Sequence, residues 1–340
     1  MADRTKTITA VRLHGRRDLR VDRIAHPGDP GPGHVRLRIS AIGICGSDLH
    51  TWSEGRIGDT AIATPVVLGH EFGGIVDALG DGVATDAAGA PLKPGMRVAV
   101  DPAQPCGRCE LCRRGHPNLC VNLAFAGQWP TDGAMQQVMH VPASCCFAIP
   151  DAINDDEAAL LETLGVALHA VNLAKIKPGE SVAVLGAGPV GLCVAQVARF
   201  VGAAPLFITD RLDHRLALAA RFGMQAVHTE RDDAEHSVYV GTGGRGVDVA
   251  IECAWAGDAV QQAADMLRPG GRLVLVGIPD DDRFNLTHST ARRKGLTIIM
   301  VRRMKHTYPR AIDLVSSGRV DLRRLVSHRL PLGEAPAAFA

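Results

Sequence analysis

The stretch VAVLGAGPVGLCVAQVARF, residues 182–200, constrains this chain more than any other. A short apolar run leads into Gly186-x-Gly188-x-x-Gly191, and an apolar pattern of helical period follows. Glycine permits the tight turn and lets the backbone approach a ligand closely. A helix starting there aims its N-terminal amides at whatever lies before it, which suits a pyrophosphate. With Pro189 and Val190 completing the turn, the spacing predicts a strand–turn–helix unit that binds a dinucleotide. A second apolar run, FITD, ends at Asp210, 19 residues past Gly191. A carboxylate there accepts hydrogen bonds from ribose hydroxyls and repels a 2′-phosphate, which favours NAD over NADP. Arg211 and Arg215 temper that preference, since a basic side chain accepts a phosphate.

The surroundings supply the rest of such a domain. Apolar segments at 182–185, 205–209, 226–229, 247–252, 272–276 and 296–301 read as strands, with helical stretches at 190–201, 212–222 and 261–267. Strands this apolar, alternating with helices, predict an α/β, doubly wound domain whose six-stranded parallel sheet is covered on both faces. Residues up to about 150 differ in character. They are rich in Gly and Pro and carry short β-like runs at 35–44, 73–79 and 96–101, which predicts a loop-rich, mostly β domain. Asn154 with an acidic first turn then starts a helix. At 340 residues, two domains are the default.

Composition excludes several partners. A net charge of +1 offers no electrostatic footprint for nucleic acid or an anionic membrane. Aromatic residues are 4%, too few for a base-stacking platform. The N-terminal MADRTKTITAVRLHGRRDLR has no apolar core of a secretory signal. The apolar run at 182–195 is too short, and too broken by glycine and Pro189, to span a bilayer. Nine cysteines without a secretory signal point to a reducing, cytoplasmic setting, where metal binding or catalysis explains thiols better than disulfides do.

The cysteines fall into distinct groups. PCGRCELCRRGHPNLC sets Cys106, Cys109, Cys112 and Cys120 within 15 residues, enough to close a tetrahedral zinc site with no open position. A closed site is structural. His116 lies inside this loop, but four thiols already complete the set. Cys45 stands apart, in ICGSDLHTW, beside Ser47, Asp48 and His50; VVLGHEFGG further on carries the adjacent pair His70 and Glu71. Cysteine, histidine and a carboxylate are the donors of a catalytic zinc that keeps one position open. Cys145, Cys146, Cys193 and Cys253 sit in apolar runs and read as packing.

The combination C-G-S-D-x-H, G-H-E-x-x-G, the four-cysteine lobe and G-x-G-x-x-G resembles the zinc-dependent medium-chain dehydrogenases over nearly the whole chain. Within them, CGSDLHTWSEGRIGD, LETLGVALHAV, HTYPRAI and VSHRLPLGEAPAAF look most like the sorbitol (polyol) dehydrogenase branch. The resemblance implies a β-rich GroES-like catalytic domain over 1–162 with its structural zinc lobe at 101–122, a Rossmann domain over 163–302, and a return to the first domain over 303–340. It implies that Cys45, His70 and Glu71 ligate a catalytic zinc. Glu162 is a further ligand or orients the zinc-bound water. Asp48 resembles the acid that orients a ligating histidine, and Ser47 and His50 match a proton relay. Arg215 resembles a ribose contact beside Asp210, while Val276, Gly277 and Ile278 resemble the backbone lining the nicotinamide. Phe125, Arg303, Ser47 and Glu162 match substrate-pocket positions. The implied activity is hydride transfer from a secondary hydroxyl of a polyol or sugar derivative to NAD, with two zinc ions per chain, in a homo-oligomer (a dimer or tetramer).

Departures from that pattern mark where specificity sits. Thr51 stands where some polyol dehydrogenases carry tyrosine, and Met304 follows Arg303 where animal enzymes carry another aromatic residue. The chain ends at AAFA, whereas relatives continue through a closing strand, so a shortened C-terminus is expected. The same machinery acting on threonine or a vicinal diol such as butanediol is the alternative; a non-enzymatic, crystallin-like protein is the reading from another class. The intact set Cys45, Ser47, His50, His70, Glu71 and Glu162 argues against the latter.

Overall fold

The computed structural model describes residues 6–254, 257–279 and 282–340. By packing, the chain divides into two units: one comprises residues up to Glu162 with Tyr308–Ser317 and Val326–Ala340, the other Thr163–Thr307 with Gly318–Leu325.

The first unit is built on a five-stranded antiparallel sheet. In spatial order its strands are Val138–Pro142, His34–Gly43, Glu71–Leu79, Arg97–Val100 and Cys146–Ala148. Side chains of alternate residues point inward, so Val35 and Leu37 meet Phe72, Val76, Val98 and Val100 in one core. Phe72 is fully buried, a contribution of about 2–3 kcal/mol from apolar area alone. Cys145 and Cys146 belong to this core, and burial pushes the Cys145 thiol up to about 12. A hairpin, Thr7–Gly15 with Asp18–Ala25, forms a second sheet with Val66–Val67. The return segment is fastened by Tyr308, which stacks on Phe147 at 4.7 Å and donates its hydroxyl to the Val100 carbonyl.

The helix Asp155–Ala174 starts with a reciprocal cap: Asn154 Oδ1 accepts the Glu157 amide at 2.9 Å, and Glu157 Oε2 accepts the Asn154 amide at 2.8 Å. By length and composition this helix could cross a bilayer, but 78% of its most apolar stretch is buried inside the protein.

In the second unit all six strands are parallel, in the order Gln225–His228, Leu206–Asp210, Val182–Leu185, Val247–Glu252, Leu267–Leu275, Thr297–Met300. The strands at 182–185, 206–210 and 247–252 are buried at every position, as a sheet covered on both faces requires. Chain order reverses on either side of Val182–Leu185. Its C-terminal end is therefore the switch point where such sheets hold ligands. Sequence reading marks the sheet strands within a few residues but not the helix Ala234–Gly241, whose eight residues hold one buried side chain, Val238.

Candidate active site and metal centres

Cys45 ends the segment that follows the strand His34–Gly43 and caps the helix Gly46–Glu54. The pairing of that strand with Glu71–Leu79 sets Gly43 opposite Glu71. A Cβ on Gly43 would lie 2.2 Å from Glu71 Oε2; the missing side chain is the space that the carboxylate occupies. Asp48 then ties the two segments together. Its Oδ2 accepts the Cys45 amide at 3.0 Å, its Oδ1 accepts the Gly69 amide at 3.4 Å, and Oδ1 stands 3.3 Å from His70 Nδ1.

The result is a donor cluster. Ligand atoms of Cys45, His70 and Glu71 all lie within 4.8 Å of one another. With His70 Nδ1 facing Asp48, Nε2 faces Ser47 Oγ at 3.4 Å. The Phe125 ring lies against His70, centroids 5.4 Å apart. His50 is buried on the same helix, and Thr51 donates its hydroxyl to the Ser47 carbonyl at 2.7 Å. Glu162 is buried in the same unit, but its carboxylate is outside the three-donor group. Burial raises the Cys45 thiol, and the Glu71 carboxylate pushes the same way. Burial opposes protonation of His70, yet Asp48 and Cys45 outweigh it and lift the ring well above its usual range. Sulfur, nitrogen and oxygen donors at this spacing fit zinc with one position left for a substrate, and metal binding there releases protons.

The second cluster is local. Cys106, Cys109, Cys112 and Cys120 bring four sulfurs within 4.8 Å of one another. His116 is not in that group, and none of the nine cysteines is in a disulfide. Amides of Arg108 and Cys109 donate to Cys106 and lower its thiol to about 6. The Cys112 amide donates to Cys109 Sγ at 3.5 Å and lowers that thiol too. Desolvation and then the neighbouring sulfurs push Cys112 up to about 12. Amide donors aimed at two of the four sulfurs fit a closed, four-sulfur zinc site.

The glycine turn lies in the second unit. Gly186 has φ +96°, a conformation that favours glycine, and its amide donates to the Thr209 carbonyl at 2.8 Å. A Cβ on Gly191 would stand 1.8 Å from the Gly186 carbonyl oxygen, so only glycine lets the helix Pro189–Phe200 start so close to the strand. Gly188 is the N-cap of that helix, with Pro189 and Val190 in its first turn. Asp210 ends its strand; Oδ2 accepts the Ala187 amide at 2.8 Å and Oδ1 the Leu212 amide at 2.9 Å. Arg215 Nη1 lies 3.5 Å from Asp210 Oδ2. Val276, Gly277 and Ile278 directly follow Leu267–Leu275, at the C-terminal edge of the sheet. Arg303 belongs to this unit and has φ +56°.

Two contributors escape a reading of the sequence. Gly43 precedes the ICGSDLH stretch, and only the strand register shows what it faces. Glu252 ends the strand VDVAIE, which also carries Asp248 near its start; an acid closing a strand buried at every position is the signal that could mark it.

A GroES-like unit with these donor clusters, joined in one chain to a dinucleotide-type sheet, defines a zinc-dependent dehydrogenase. Residues 31–151 match the alcohol dehydrogenase GroES-like domain and residues 189–317 the zinc-binding dehydrogenase domain. The chain belongs to this family of oxidoreductases, in its sorbitol dehydrogenase-like branch. It is 35% identical to sorbitol dehydrogenase of Bacillus subtilis (strain 168) over 335 residues, 98% of this chain and 93% of that one. Human sorbitol dehydrogenase is 37% identical over 331 residues, 96% of this chain and 90% of its own length. Galactitol-1-phosphate dehydrogenase from Escherichia coli has the same fold, with a TM-score of 0.87, 29% identity, and coverage of 97% of this chain and 95% of that one.

If Gly43 makes room for the Glu71 carboxylate, Gly43→Ala lowers metal content from about two zinc per chain to about one, the four-cysteine lobe keeping its own. Elemental analysis checks this, and an unchanged content refutes it.

Proposed function

We propose that the protein oxidises a secondary hydroxyl of a polyol or sugar derivative to the ketose, with NAD as hydride acceptor. The observation that carries the reading is the convergence of Cys45, His70 and Glu71 in a chain that also carries the Gly186 turn with Asp210 beside it. The polyol class is supported by the sorbitol dehydrogenases among the relatives.

Bound zinc supplies Lewis acidity to the substrate hydroxyl, and bound NAD accepts the hydride. The residues of the chain do the rest. Asp48 holds His70 by Nδ1, which fixes its tautomer and leaves Nε2 for the donor cluster. Ser47 receives the hydroxyl proton and His50 carries it onward, a role suited to histidine. We assign Glu162 the orienting role, because Glu71 completes the donor group and Glu162 does not enter it. Phe125, packed on His70, forms an apolar wall beside the donor cluster. Asp210 and Arg215 hold the adenosine ribose, and residues 276–278 line the nicotinamide.

We also propose a cytoplasmic homo-oligomer. Thr297–Met300 is an edge strand with Ile298 and Met300 exposed, and pairing across a two-fold axis would cover that edge.

A panel of C4 to C6 polyols, threonine and 2,3-butanediol, followed by NADH absorbance, is expected to show turnover on polyols. Turnover on threonine or butanediol alone would overturn the substrate class. Asp210→Ala is expected to raise KM for NAD roughly tenfold while affecting NADP less; an unchanged preference would contradict the ribose contact.

A further inference from the structure

We propose that Glu252 is a positioning residue that holds the 276–278 segment in register with the glycine turn, so that both halves of the dinucleotide meet a prearranged surface. The proposal rests on the dinucleotide reading above.

Glu252 ends the central strand Val247–Glu252 and is only 3% exposed. Burying a carboxylate without hydrogen-bond partners is costly, so its partners must offset the burial. Both oxygens are used. Oε1 accepts the Ala254 amide at 2.7 Å and Oε2 accepts the Gly277 amide at 3.2 Å. The Glu252 backbone carbonyl takes the Val276 amide at 2.9 Å and shares the Gly277 amide at 3.2 Å. One residue therefore fastens the turns that leave two adjacent strands at the ligand edge of the sheet.

Ala254 in turn packs behind the glycine turn, since a Cβ on Gly186 would lie 2.8 Å from Ala254 Cα. A Cβ on Gly277 would lie 2.6 Å from Glu252 Oε2, so the glycine admits the carboxylate. An ionised carboxylate suits this task because both its oxygens accept. A glutamine would turn an N–H₂ toward one of the two amides.

The two halves of the site do not depend on Glu252 equally. The glycine turn has anchors of its own, from the Gly186 amide to Thr209 and from the Ala187 amide to Asp210. The Gly277 amide is held by Glu252 from both backbone and side chain. Loss of the carboxylate should therefore loosen the nicotinamide half first.

The test is calorimetric titration of the full chain with NADH and with ADP-ribose, which lacks the nicotinamide, alongside thermal unfolding. In Glu252→Gln, Kd for NADH is expected to rise on the order of tenfold and Kd for ADP-ribose by less than about threefold. Glu252→Asp, which keeps the charge but shortens the reach to the Ala254 and Gly277 amides, is expected to show the same selective loss. It decides the matter if Glu252→Gln does not fold. Equal weakening of both ligands, or NADH affinity unchanged in a folded variant, would overturn the proposal. If the unaltered protein binds neither ligand, the dinucleotide reading falls, and this proposal with it.

Discussion

The pairing that sets Gly43 opposite Glu71 is the constraint on which the catalytic unit depends. Cys45 lies two residues beyond Gly43, and His70 immediately precedes Glu71, so this register alone brings segments 25 residues apart to one place. A slip of one residue would turn every side chain of the strand to the other face and separate the donors. The core holds the register, because Val35 and Leu37 must meet Phe72 and Val76. Asp48 locks the outcome by binding amides on both sides, at Cys45 and Gly69.

The four-cysteine lobe reaches a donor cluster by the opposite route. Its sulfurs come from 15 neighbouring residues and are arranged by amides of their own loop, with no need of sheet register. Local construction suits a closed site that only has to hold its ion. Construction from distant segments gives the Cys45 cluster three donors, a number that would leave a bound zinc one position for a substrate.

The same distinction explains how much the sequence reveals. The parallel sheet is legible because its strands are short, largely apolar runs alternating with helices, and the lobe because its spacing is local. Cys45, His70 and Glu71 are legible as residue types, but the space that admits the Glu71 carboxylate is a property of Gly43 that appears only once the strands pair. Glu252 stands out along the chain only as an acid at the end of a strand; its partners, Ala254 and Gly277, lie on different turns and show its role only in the fold. The hairpin Thr7–Gly15 with Asp18–Ala25 turns through Arg16 and Arg17 without the Asn-Gly signal that marks tight hairpins. Glu71 and Glu162 are both candidate donors along the chain; in the fold the Glu71 carboxylate stands with Cys45 and His70, and that of Glu162 is outside the group.

That register, acting on residues far apart in sequence, assembles a metal centre at Cys45, His70 and Glu71 is open to a direct test. Anomalous diffraction at the zinc edge, from crystals of the zinc-loaded protein, addresses it directly. Two peaks per chain are predicted, one within the four-cysteine lobe and one bonded to Cys45, His70 and Glu71. A single peak confined to the lobe would contradict it.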